Sequence, residues 1–167
     1  MRIYEGGPRQ DYEEALRSIG GFLDQRGTRE LLLLETNDGF VVQGLVPRLD
    51  ESGQWSESAG VIEKQTFTFA DDDVARFMEE SYAQRRNPKA GRGQVGDKFY
   101  EHALRVIGRY IDEQKPRDVF LFEQDHSFVL RLLMGGRTGD HHVLAEFTRE
   151  ELEQMIANAA DLRVQSA

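Results

Sequence analysis

The sequence predicts an α+β fold made by internal duplication of an αβββα unit, an antiparallel three-stranded meander flanked by helices, with the two units in a pseudo-two-fold arrangement. Three observations predict it. First, sliding the chain on itself by 88 residues aligns Tyr12–Leu45 with Tyr100–Leu133 without a gap, with fourteen identities over 34 positions. Second, an offset of 78 pairs TFADDDVARFMEESYAQR with EFTREELEQMIANAADLR, so the first copy carries ten extra residues between the aligned blocks. Third, the apolar pattern inside each block changes from a period of 3.6 to short apolar runs around turns. Self-similarity on this scale marks a repeated structural unit. It divides the chain into a first repeat at 1–85, a basic glycine-rich linker at 86–98 and a second repeat at 99–167.

Each element has its own justification. In the first helix Tyr12, Ala15, Leu16, Ile19, Phe22 and Leu23 form one stripe, and Gly27 in one copy and Pro116 in the other end it. Gly20 and Gly108 occupy matching mid-helix positions, where glycine costs about 1 kcal/mol relative to alanine. A shared need for close approach explains both. RELLLLETNDGFVVQGL then holds two apolar runs around Asn37-Asp38-Gly39, hairpin chemistry that needs positive φ. DVFLFEQDHSFVLRLL repeats it around Asp125-His126-Ser127. A third strand follows near Val61–Phe69 and near His142–Phe147. The closing helices carry Val74, Phe77, Met78 and Tyr82, then Leu152, Met155, Ile156 and Ala159. Thr148 with Glu151 is a capping box, and the Asp71–Asp73 run suits a helix N-terminus.

Leu31–Leu34 and Val119–Phe122 are apolar at consecutive positions, the pattern of strands buried on both faces. One helix layer cannot explain it. The opposite face is expected to meet either the other repeat or a second chain.

Composition bounds the function. The net charge is -9 and the pI about 5.0, which disfavours polyanion and anionic lipid surfaces unless the basic residues are segregated. The absence of cysteine excludes disulfides, thiolate metal sites and cysteine nucleophiles. MRIYEGGPRQ lacks a signal-peptide apolar stretch and no run reaches the length of a membrane span, so a cytoplasmic location is expected. In size, charge and element order the chain resembles specialised bacterial secretion chaperones, a resemblance that carries no motif and no site residue.

The candidate functional residues fall into three groups. His126, Asp140, His141 and His142 lie in or beside second-copy loops and could form a metal or acid–base cluster if the loop bulges. From a regular strand His141 and His142 point to opposite faces and cannot share a metal. Trp55, the only tryptophan, lies in VPRLDESGQWSESAG, which has no second-copy counterpart, and tryptophan is enriched at interface hot spots. Arg86, Lys89, Arg92 and Lys98 against Asp97 make the linker basic, though without interleaved aromatics for base stacking. Glu35/Glu123, Arg17/Arg105 and Arg29/Arg117 match across the copies and read as an ion pair repeated within each unit, or alternatively as a Glu35–Glu123 catalytic pair. The leading expectation is a non-enzymatic binding or adaptor module, engaging a protein partner or a second copy through Trp55 and the exposed sheet face, with room for a small ligand between repeats. A metal-assisted hydrolase using the His/Asp loop is the alternative, and weak nucleic-acid contact through the linker a third. No cofactor is assigned.

Overall fold

The computed structural model describes residues 11–47, 62–86, 99–125 and 127–166. Trp55, Lys89, Arg92 and His126 lie outside the described residues. Arg86 closes a helix, and its side chain is outside them too.

Helix α1 (Tyr12–Gln25) starts where Asp11, in extended conformation, accepts the Glu14 amide at 2.9 Å, satisfying one orphan donor. It turns its apolar stripe inward: Tyr12, Leu16, Ile19 and Leu23 are fully buried. Strands β1 (Arg29–Thr36), β2 (Gly39–Pro47) and β3 (Ile62–Ala70) follow as an antiparallel meander, then α2 (Asp71–Arg86). The order recurs as α3 (Phe99–Gln114), β4 (Asp118–Gln124), β5 (Ser127–Met134), β6 (His141–Thr148) and α4 (Arg149–Ser166). The third strands lie within about one residue of the expected bounds. Thr148 Oγ1 accepts the Glu151 amide at 3.1 Å, and Asp73 accepts the Ala70 amide at 3.0 Å, so both closing helices are capped.

The described residues therefore form an α+β protein of four helices and one six-stranded antiparallel sheet, ordered β3-β2-β1-β4-β5-β6. The halves join where β1 meets β4 antiparallel, Leu32 opposite Phe122, Leu33 opposite Leu121 and Leu34 opposite Phe120. This corrects one expectation. Of the two covers expected for the second face of the meander, the other half of the chain is not one; it extends the same sheet sideways, since an unpaired strand edge is satisfied by another strand.

The helices pack on one face, over a core that includes Leu33, Val42, Leu121 and Leu130. Helices α1 and α3 lie against each other at the centre. A Cβ on Gly20 would run into the Tyr100 carbonyl, and one on Gly108 into the Tyr12 carbonyl. Each helix also caps the other. Asp24 accepts the Tyr100 and Glu101 amides at 3.0 and 2.9 Å, and Asp112 accepts those of Tyr12 and Glu13 at 2.9 and 3.0 Å. The free N–H groups and positive dipole end of one helix so receive a carboxylate from its neighbour.

The turn geometry differs from expectation. Asn37 and Asp38 keep negative φ, and only Gly39 is positive at 155°; glycine is required there, since a side chain would strike the Phe69 carbonyl. After the first helices the two halves use different residues for one conformation: Gly27 at φ 63° and Lys115 at φ 53°.

Gly20→Ala is expected to lower the melting temperature by roughly 3–10 °C, from overpacking that costs about 1–3 kcal/mol. Gly21→Ala, with nothing within 4 Å of the added methyl, is expected to hold it or raise it by roughly 2–4 °C, from up to about 1 kcal/mol of helix propensity. Thermal unfolding by circular dichroism of the pair tests the contact. Lys115→Gly is expected to raise the midpoint, since a left-handed non-glycine residue costs about 1–2 kcal/mol.

Candidate functional site

Register decides which side chains share a face. Along the centre of the sheet Leu33, Val42, Leu121 and Leu130 point to the helices and are fully buried. Their neighbours point away: Val41 opposite Leu34 opposite Phe120, then Leu32 opposite Phe122 opposite Val129. These six make a continuous apolar patch across the four central strands. None of them is fully buried, and Leu34 is 40% exposed. The Phe120 and Phe122 rings stand 5.7 Å apart between centroids, a mutually supporting aromatic pair.

Polar residues ring the patch. Gln43 of β2 lies opposite Leu32, and the outward positions of β3 include Lys64, Thr66 and Thr68 beside Ile62. On the other side Arg131 lies opposite Leu144, and Glu146 opposite Val129. Arg131 Nε donates to His142 Nδ1 at 3.3 Å. Leu144 at 70% and Ile62 at 54% are the most exposed large apolar side chains named on the two edge strands. No described helix lies on this face.

The residues singled out from the sequence are placed as follows. His141 pairs with Met134 and His142 with Leu133 on regular strand, so they point to opposite faces. Asp140 accepts from Arg117 at 2.8 Å. Among the described residues no group of three His, Cys, Asp or Glu side chains could hold a metal.

The matched carboxylates do something other than expected. Arg17 pairs with Glu101 at 3.3 Å and Arg105 with Glu13 at 3.2 Å, between the halves rather than within each. Glu35 is buried and accepts the Tyr12 hydroxyl with both oxygens at 2.9 Å. Glu123 accepts the Tyr100 hydroxyl at 2.5 Å and the Leu31 amide at 3.1 Å. Continuing the β1–β4 register puts Glu35 beside Val119 and Glu123 beside Leu31, four residues apart along the strands. At about 3.3 Å per residue that is roughly 13 Å, too far for a catalytic carboxylate pair. They are anchors, each tying a helix start to a central strand.

The outward patch was partly legible. Leu31–Leu34 and Val119–Phe122 signalled a second buried face, while Val41 and Val129 needed the register to be recognised. No protein-family model, curated protein or solved structure matches the chain. No described helix is long and apolar enough to cross a membrane.

Burial, then the adjacent Glu123 carboxylate, push the Tyr100 phenol far above its ordinary range. A raised phenol pKa means stability that is complete below about pH 10 and lost as pH rises further. Tyr100→Phe is expected to cost about 1–3 kcal/mol at neutral pH by leaving Glu123 short of a donor. It should also flatten the alkaline loss between about pH 10 and 12. Urea unfolding of both proteins across that interval checks the sign.

Proposed function

We propose that this chain is a non-enzymatic binding module that holds a protein on the helix-free face of its sheet. The observation that carries the reading is the patch of Leu32, Leu34, Val41, Phe120, Phe122 and Val129, apolar at its centre and polar at its rim. That is the anatomy of a protein interface, and contiguous exposed apolar surface marks interaction sites. A wet sheet face would alternate, with polar residues outward on every strand. The edge strands do so at Lys64, Thr66, Thr68 and Glu146, and β2 and β5 do so at Gln43 and Arg131; the two middle strands, β1 and β4, are apolar at Leu32, Leu34, Phe120 and Phe122.

The reading includes an origin for the face. Two copies of one αβββα unit, joined at β1 and β4 about a pseudo-two-fold axis, bring two outward apolar sets side by side. Matched contacts support it: Tyr12–Glu35 with Tyr100–Glu123, Asp112 on α1 with Asp24 on α3, Arg17–Glu101 with Arg105–Glu13. A cytoplasmic setting suits an acidic, cysteine-free chain of this kind.

A photo-crosslinking amino acid at Val129 tests the reading in the producing cell. Irradiation is expected to give protein adducts from Val129 and none from Glu153, exposed on α4. Adducts at neither position would remove the binding-module reading.

A further inference from the structure

We propose that the occupant of this face is a second copy of the same chain, packed sheet on sheet. The inference rests on the binding-module reading and names its partner.

Size is the first argument. Six strands about 4.8 Å apart, each rising about 3.3 Å per residue over seven to nine residues, present a face of roughly 29 by 26 Å. That is about 750 Å², close to the roughly 800 Å² per partner of a stable protein interface. A short peptide or a single helix would leave much of the apolar patch wet.

Charge is the second. A chain of net charge -9 repels its own copy through most of its surface. The helix layer concentrates the acid, with Asp71, Asp72 and Asp73 on α2 and Glu150, Glu151 and Glu153 on α4. On the outward sheet positions Arg29, Lys64 and Arg131 stand against Asp118 and Glu146. Two copies can therefore approach through this face without the repulsion that opposes every acidic surface.

Shape is the third. Packed sheets must share a twist and cross at about 30°, and a second copy supplies a matching twist by construction. The sheet reads first strand, second strand, third strand outward from its middle in both directions. A two-fold axis in the plane of contact thus lays central strands over central strands and edge over edge. The contact is isologous and closes at two chains. Leu34 and Phe122 of both copies fall near its centre, and the edge strands, where Lys64, Thr66, Thr68 and Glu146 stand beside Ile62 and Leu144, form its rim.

Sedimentation equilibrium of the full chain between about 1 and 100 μM, the range of ordinary specific affinities, tests the proposal. The expected mass is twice 19.1 kDa. Leu34→Glu and, separately, Phe122→Glu are expected to give 19.1 kDa monomers with far-UV circular dichroism unchanged, and Glu153→Lys is expected to remain dimeric. Leu34 is exposed in the single chain, so its variant retains the fold even if Phe122→Glu does not. A dimer that persists in folded Leu34→Glu overturns the proposal. A wild type monomeric throughout overturns it as well. In that case crosslinks from Val129 to other proteins would leave the binding reading standing, and none would end both.

Discussion

Two helices can cross at backbone contact only where neither presents a side chain, and α1 and α3 meet that condition twice. Gly20 lies on the Tyr100 carbonyl and Gly108 on that of Tyr12. The mid-helix glycines cost local helix propensity, and the tertiary contact offsets it. Closeness then permits Asp24 and Asp112 to reach the opposing N-termini, since a carboxylate side chain spans only a few ångströms. Because each helix start is tied to its neighbour, the helices cannot slide past each other without uncovering four amides and burying unpaired carboxylates. Leaving such groups unmet costs more than the bonds contribute when made.

The crossing also fixes the sheet. Tyr12 begins α1 and hands its hydroxyl to Glu35 on β1; Tyr100, at the start of α3, does the same for Glu123 on β4. Glu123 accepts in addition the amide of Leu31 on the facing strand, beside the register shift between Arg29 and Leu32. One carboxylate thus holds a helix of its own half and a strand of the other. The central β1–β4 join, backed by Leu33 and Leu121 in the core, is stitched by side chains as well as by its ladder. Satisfied buried networks of this type specify one arrangement among several of similar apolar burial.

What the sequence made legible follows the range of the physics involved. Periodicity and capping are local, and they announced the four helices and the three strands of each half, with the third strands within about one residue of their expected bounds. Gly20 and Gly108 declared a close contact because a mid-helix glycine weakens its own helix, and a backbone neighbour that no side chain could admit recovers the loss. Partner choice was not local. Arg17 and Glu35 looked like natural partners from charge and recurrence, yet Arg17 reaches Glu101 while Glu35 takes a phenol. No spacing rule tells which carboxylate a cation will find across a helix crossing. Likewise the apolar runs announced two covered faces, but edge-to-edge joining and face-to-face packing of repeats leave the same one-dimensional pattern. Geometry alone separates them.

That separation decides how the outward patch is read. Had the halves stacked face to face, Leu34 and Phe122 would be core residues and would imply nothing beyond stability. Edge-to-edge joining removes that possibility, because one helix layer covers one face of the sheet. Nor are Phe120 and Phe122 scattered singly, as surface apolar residues usually are. They are adjacent in space to Leu32 and Leu34 across the central join, whereas the same face of β3 carries lysine and threonine. A chain under pressure only to stay soluble would place its polar residues where the face is widest and most solvent-accessible, at the middle of the sheet. Here the two middle strands are apolar at Leu32, Leu34, Phe120 and Phe122, and the polar residues stand on the strands to either side, from Gln43 and Arg131 outward. On the proposed binding-module reading, the apolar surface at the centre stays hydrated in the free chain until the partner excludes the water.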